Sequence, residues 1–230
     1  MTIPPTYTPA RVPLTFSLVH PKRDQKKVAW SLPVVDVSGY EYELCEAHSH
    51  NMWSSSKSGF YGEGILNTET DECLTERTGT LGEMAYGKLF HTAVDLSYRH
   101  KGDNKDFISF DISIDMKTAR EPYGSGLVMC RNERGIAIRL KCDVYVFGFI
   151  VNEDREGKLA TIAFVGWCYR DDLNMLPEKP SPKAKAQHRN KEMPYEKMKP
   201  MSLMYSSYWE HFGEKHSFGD DVEHESYDLR

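Results

Sequence analysis

Apolar and polar positions alternate most strictly between Asp106 and Lys117. Ile108, Phe110, Ile112, Ile114 and Met116 interleave there with Ser109, Asp111, Ser113, Asp115 and Lys117. A period of two belongs to a strand with one buried and one wet face, so the run predicts a single half-buried strand. Just upstream the period becomes helical. Leu81, Ala85 and Leu89, with Met84 offset by one, form an apolar stripe behind Thr80-Leu81-Gly82-Glu83, which has the [ST]xxE form of a capping box. This spacing predicts a helix that starts at Thr80, ends near Asp95 and leads into a turn over 100–105.

Residues 136–140, 144–151 and 159–167 are mostly apolar, β-branched runs, as expected of strands covered on both faces. Shorter strand candidates lie at 12–19, 27–32 and 40–44, and the serine-rich 54–59 reads as a loop. Together these elements predict an α/β fold with a mixed central β-sheet flanked by helices. Composition divides the chain into an N-terminal extension of strands and loops (1–78), a core (79–177), and a basic loop and C-terminal tail packing on the core (178–230).

Composition narrows the class. With 40% hydrophobic and 27% charged residues, the chain has the balance of a globular protein rather than a disordered one. No apolar run approaches 18 residues and the N-terminus lacks the pattern of a secretory signal, so neither a membrane partner nor export is expected, and a cytoplasmic location follows. The five cysteines form no CxxC pair, which argues against a thiolate zinc site and for a reducing compartment. Cys45 and Cys142 have no neighbouring residue to make a catalytic dyad and read as buried structural cysteines. A net charge of −5 excludes a binder acting by bulk positive charge, yet it is compatible with a carboxylate active site.

The candidate chemistry lies in Asp115-Met116-Lys117. Residues two apart on a strand share a face, so a carboxylate and an ammonium project side by side. Mg²⁺ takes one or two carboxylates, water and a phosphate oxygen; it acidifies the bound water and offsets charge on a scissile phosphate. Asp106, nine residues upstream, and Glu83, on the preceding helix, offer further oxygens. On one straight strand Asp106 faces away from Asp115, so their convergence requires a hairpin, a bulge or a sharp twist, and no Gly or Pro marks one. Asp111 shares the face of Asp115 and is the rival ligand.

The order of these residues resembles the PD-(D/E)XK nuclease superfamily. Its pattern is a glutamate on the first core helix, an aspartate entering a strand, and D/E-x-K on the next strand. Gly82-Glu83-Met84-Ala85, Asp106-Phe107 and Ile114-Asp115-Met116-Lys117-Thr118 match it in turn. The strand at 141–147 and the turn at 165–173 are similar to later elements of restriction-like and phage or homing endonucleases.

The resemblance covers roughly residues 77–175 and implies a restriction-endonuclease-like core. It implies a DNA endonuclease with Mg²⁺ as cofactor and Mn²⁺ able to substitute. Asp106 and Asp115 then hold the metal with the Met116 carbonyl, Lys117 positions the attacking water, and Glu83 orients the lysine or a second ion. A homodimer follows if both strands of a duplex are cut.

The remaining features have competing readings. The run 179–199 holds seven Lys and Arg, among them Lys183, Lys185, Arg189 and Lys191; it reads as a mobile loop or as a DNA-tracking segment. His48-Ser49-His50 on a strand would present two imidazoles on one face as a metal pair, against the simpler reading of surface histidines. Tyr205, Tyr208, Trp209 and Phe212 have the spacing of a helix docked on the core. From other classes, a DNA-binding module that never cuts and a structural or assembly protein with a solvated acidic strand stand as alternatives.

Overall fold

A computed structural model describes residues 10–18, 26–55, 74–96, 105–109, 111–132, 134–180 and 188–204. One six-stranded mixed sheet organises them, in the order β1-β2-β7-β6-β4-β3. Its strands are β1 (Ala10–Leu18), β2 (Lys26–Ser38), β3 (Phe107–Ser109), β4 (Ile112–Ala119), β6 (Val144–Asp154) and β7 (Leu159–Tyr169). A second, three-stranded sheet has the order β5-β9-β8, from β5 (Ser125–Arg131), β8 (Glu178–Pro180) and β9 (Arg189–Pro194). The helices are α1 (Tyr40–Ser55), α2 (Leu74–Phe90) and the short α3 (Arg170–Asn174). The expected mixed sheet flanked by helices is therefore present.

The pairing of β4 with β6 is parallel, whereas the other strand pairs of the large sheet are antiparallel. A parallel pair needs a long crossover, and here the connection runs through β5 and residues 132–143. That crossover covers one face of the large sheet, while α1 and α2 cover the other. On the helical face Val35, Ile112, Ile114, Met116, Val144 and Val146 pack against Tyr42, Cys45, Leu81 and Ala85. On the opposite face Tyr145, Phe147 and Cys168 pack against Val128, Leu140 and Met193. β6 and β7 are buried on both sides, which explains their unbroken apolar sequences.

Two glycines set how closely these layers approach. A Cβ on Gly82 of α2 would stand 1.6 Å from Thr118 Oγ1 on β4. A Cβ on Gly126 of β5 would stand 2.1 Å from the Phe147 ring. Each glycine therefore lets its element rest directly on the central strands.

Several expectations change. Segment 40–44 is the start of α1, not a strand. Its buried residues Tyr42, Cys45 and Ser49 fall at helical spacing, and this stripe of a phenol, a thiol and a hydroxyl gives a weak apolar signal. The predicted helix begins six residues before Thr80, so Thr80 is not an N-cap: its hydroxyl donates to the Glu76 carbonyl at 2.9 Å. The helix ends at Phe90 rather than near Asp95. Residues 136–140 make only an isolated bridge, Arg131 to Ala137, and Ile136 and Ile138 are exposed. Within 179–199, the described parts are strands β8 and β9 and a short 3₁₀ turn, not a loop.

The boundary expected at 78/79 falls inside α2, and β2 pairs with β7 through Val34–Ser38, so the N-terminal part belongs to the main sheet. The helix expected around Tyr205, Tyr208, Trp209 and Phe212 lies outside the described residues, as do the turn residues 100–104. Cys45, Cys130, Cys142 and Cys168 are free thiols, all buried. No helix among the described residues is long and apolar enough to cross a membrane.

Candidate active site

The strand expected over 106–117 is a hairpin. β3 and β4 pair as Phe107 to Ile114, Ile108 to Ser113 and Ser109 to Ile112. Between them the chain reverses at Asp111, whose φ of 62° lies in the left-handed region that Asp and Asn tolerate better than most side chains. A two-residue connection leaves the period-two pattern intact in sequence, so the alternation carried no sign of the turn. Its effect on geometry is large. Each cross-strand pair joins an odd-numbered residue to an even-numbered one, so the faces exchange across the turn. Phe107 is buried with Ile114, while Ile108 is 53% exposed. By the same exchange Asp106 comes to the side of Asp115.

The hydrogen bonds agree. The Asp106 amide donates to the Ile114 carbonyl at 2.9 Å, and the Met116 amide donates to Asp106 Oδ2 at 2.7 Å. The Asp106 and Asp115 carboxyls lie side by side, close enough for the charge of Asp115 to raise Asp106. Lys117 Nζ stands 2.6 Å from Asp115 Oδ1, the same-face neighbour that the strand spacing predicts. Glu83 reaches the cluster from α2, one residue after the glycine that seats the helix on Thr118. The four residues predicted from sequence are thus together.

Their electrostatics follow from crowding. Burial pushes the Glu83 carboxyl up to about 8, and the charge of Asp106 adds to the effect. Burial likewise pushes Asp106 up to about 7, reinforced by Asp115. For Lys117 burial alone favours the neutral amine, but attraction to Asp115, Asp106 and Glu83 outweighs it and the net shift is upward. Lys117 is therefore an ammonium that donates hydrogen bonds, and it is unsuited to accept a proton. Cys142 and Tyr145 flank Asp115, and burial first, then that carboxylate, raises both.

Asp106 and Asp115 supply hard oxygens at one point, where repulsion between carboxylates favours a bound cation. That donor chemistry fits Mg²⁺, which needs only one or two carboxylates. Among the described residues no group of three or more His, Cys, Asp or Glu is placed so that it could hold a metal ion. Asp111, the rival ligand, is exposed at the hairpin turn, four residues along the strand from Asp115 or ~13 Å at ~3.3 Å per residue. His48 and His50 lie on α1, where residues two apart point to nearly opposite sides, so they form no same-face pair.

The proposed DNA contacts separate. Lys191 Nζ donates to the carbonyls of Leu176 and, at 3.4 Å, Asn174, which ties β9 to the end of α3. Arg189 is half-buried on β9, and Lys183 and Lys185 lie outside the described residues.

Sequence reasoning missed two supporting groups. Asp143 Oδ2 accepts from the Ser113 amide at 3.0 Å and from its hydroxyl at 2.6 Å, fixing the start of β4 against the entry to β6. Glu153, near the end of β6, accepts from the Tyr42 hydroxyl at 2.9 Å and stands 3.0 Å from Arg77 Nε, joining both large helices to the sheet. Neither has a sequence signature, because each partner lies 30 or more residues away. Comparison of the chain with known protein families, with curated proteins and with solved structures gives no match.

Proposed function

We propose that this protein is a Mg²⁺-dependent DNA endonuclease with a PD-(D/E)XK-type site, Mn²⁺ being able to replace Mg²⁺. One observation carries the reading: an odd-to-even hairpin register brings Asp106 onto Asp115 and Lys117, beside the half-buried Glu83. A solvated acidic strand needs no such convergence, and three carboxylates crowded about one lysine are costly to fold unless they serve a ligand.

Asp106 and Asp115 hold the metal ion, which when bound acidifies water and offsets charge on the phosphate. Lys117 donates hydrogen bonds to the attacking water and to the phosphate oxygen on which charge develops. Glu83 orients Lys117 or a second ion through water; a carboxyl pushed up to about 8 keeps its proton near neutral pH and does not serve as the base. Met116 contributes its amide to aim Asp106. Cleavage of both strands of a duplex calls for two such sites, hence a homodimer.

The test is cleavage of supercoiled and linear DNA in Mg²⁺, Mn²⁺ or EDTA. The wild type should nick or cut only with metal. Asp115→Ala and Lys117→Ala should each lower the rate by about 10² or more, the usual scale for removing an electrostatic or general-acid/base group. Intact DNA with every metal, despite salt-dependent binding, would replace the nuclease reading with that of a binding module.

A further inference from the structure

The face of the large sheet that carries the acidic cluster has an open border. On β4, Ile112, Ile114 and Met116 point into the helical core, so Ser113, Asp115 and Lys117 point to the crossover side. Ile108 of β3 pairs with Ser113 and shares that face, yet it is 53% exposed. It also lies two residues from Asp106, on the same side of the strand.

The crossover supplies a second apolar element. From Arg131 to Ala137 the chain makes a tight hairpin. The Asn132 amide donates to the Ile136 carbonyl at 3.0 Å, the Ile138 amide donates to the Cys130 carbonyl at 2.8 Å, and Arg131 bridges Ala137. Asn132 Oδ1 accepts from the amides of Arg134 and Ile136, and Gly135 takes a φ of 73°, as a three-residue hairpin loop requires. The tip is therefore fixed before a ligand arrives. Opposite residues of an antiparallel pair share a face, so Ile138 lies on the side of Cys130, and Ile136 with it. Cys130 is buried in line with Val128, whereas Ile136 is 58% and Ile138 37% exposed. These two isoleucines face inward but have no sheet beneath them.

The direction of this overhang follows from β9. That strand pairs with the other edge of β5, and Tyr195 just beyond it packs with Val34 of β2 and with Ala163 and Val165 of β7. In a sheet ordered β2-β7-β6-β4-β3, the hairpin edge of β5 is then turned toward β4 and β3. The return arm leads through the buried Leu140 to Asp143, whose amide donates to the Ser113 carbonyl at 2.9 Å. Ile136 and Ile138 thus stand over the border that holds Ile108, Asp106 and Asp115. Arg134, at the tip, is exposed, and its guanidinium has neither ion pair nor hydrogen bond among the described residues. Arg131, by contrast, is held by Glu178 at 2.6 Å. Arg139 is exposed as well, but it follows Ile138 and so belongs to the outer face.

We propose that Ile136 and Ile138 are the wall that selects DNA, packing on deoxyribose carbons of the strand beside the scissile phosphate, while Arg134 holds a neighbouring phosphate of that strand. The occupant rests on the nuclease reading. An apolar wall next to a phosphate site meets the sugars that join successive phosphates. Deoxyribose presents carbon at its 2′ position, whereas ribose presents a hydroxyl that two isoleucines leave without a partner.

The experiment is fluorescence anisotropy of the full chain in EDTA, with a labelled DNA duplex and the RNA duplex of the same sequence, titrated across KCl. Ile136→Ser/Ile138→Ser should weaken DNA binding by about tenfold at every salt concentration, leave the salt slope unchanged and hardly affect RNA. Arg134→Ala should reduce the slope of log affinity against log salt by about 1, and Arg139→Ala should not. Equal losses on both duplexes, or no loss on DNA, overturn the wall. A slope lowered as much by Arg139→Ala overturns the placed contact in favour of bulk charge. Unchanged DNA binding with conversion of a dimer to a monomer by light scattering assigns the isoleucines to self-association and overturns the proposal. If the expected pattern appears but no metal supports cleavage, the wall stands and the nuclease reading fails. If the wild type cuts in Mg²⁺ and the isoleucine variant binds and cuts like it, the nuclease stands and the wall fails.

Discussion

Glu83 is the residue whose environment contradicts its charge most plainly. Burial pushes its carboxyl up to about 8, whereas an unfolded chain returns it to the ordinary range of ~4.3. The folded protein then holds a proton that the unfolded chain releases. Such a group stabilises the fold fully below the unfolded value, and that contribution is lost as pH rises through the folded one. Asp106 acts in the same direction. Glu83→Gln has no charge to bury, so without metal it should melt higher than the wild type at pH 9 and nearly level with it at pH 4. A difference on the order of 1 kcal/mol corresponds to ~2–4 °C for a chain of this size. Thermal unfolding at both pH values checks it, and a wild type that gains stability between pH 5 and 9 relative to the variant contradicts the burial of Glu83. Removing a residue from an active site often stabilises a protein in this way, since the group is kept for its chemistry and not for packing.

Among the elements, α2 and the β3–β4 hairpin form the site jointly, and their contact depends on Gly82. Ala at this position would drive its Cβ into Thr118, so Gly82→Ala should cost about 1–3 kcal/mol and displace Glu83. Thr118→Ala should cost almost nothing, because Thr118 Oγ1 is buried without a hydrogen-bond partner among the described residues. Chemical denaturation of the two variants measures the contrast; equal losses would mean that the helix does not rest on this strand.

Elements were legible in proportion to how far their burial follows simple periods. β6 and β7 were clear because both faces are covered. β4 was clear because one face is. The hairpin was not, since its turn preserves alternation and uses an Asp with positive φ where Gly or Asn is the usual signal. Within the site, identity and order were enough to select Glu83, Asp106, Asp115 and Lys117, but the convergence of Asp106 on Asp115 depends on register, which only pairing defines.

For the whole molecule, the large sheet runs from β1 and β2 at one side to β3 at the other, so a core confined to residues 79–177 is incomplete. Val35, Val37, Tyr42 and Cys45 are fully buried in the main apolar cluster. Each such aliphatic or aromatic side chain contributes ~1.5–3 kcal/mol by its burial. A chain beginning at residue 79 lacks all four and also the first turn of α2, and should show no cooperative melting by circular dichroism. A truncated chain that melts cooperatively near the full-length temperature would show that the N-terminal strands are an appendage. Composition had suggested that appendage because residues 1–78 are rich in Pro, Ser, Gly and Thr, yet β2 alone supplies enough apolar length to join the sheet.

The four described thiols carry a consequence for chemical reactivity. Burial pushes Cys45, Cys142 and Cys168 up to about 12, and Cys130 shifts in the same direction. Thiolate is the species that attacks alkylating and disulfide reagents, and a thiol titrating at about 12 presents roughly one part in ten thousand of it at pH 8. Shielded in this way, these cysteines can be modified at an appreciable speed only when the sheet opens. The rate at which they capture a thiol reagent in excess is then a clock for the opening of the layers around them, set by native-state kinetics rather than by the reagent.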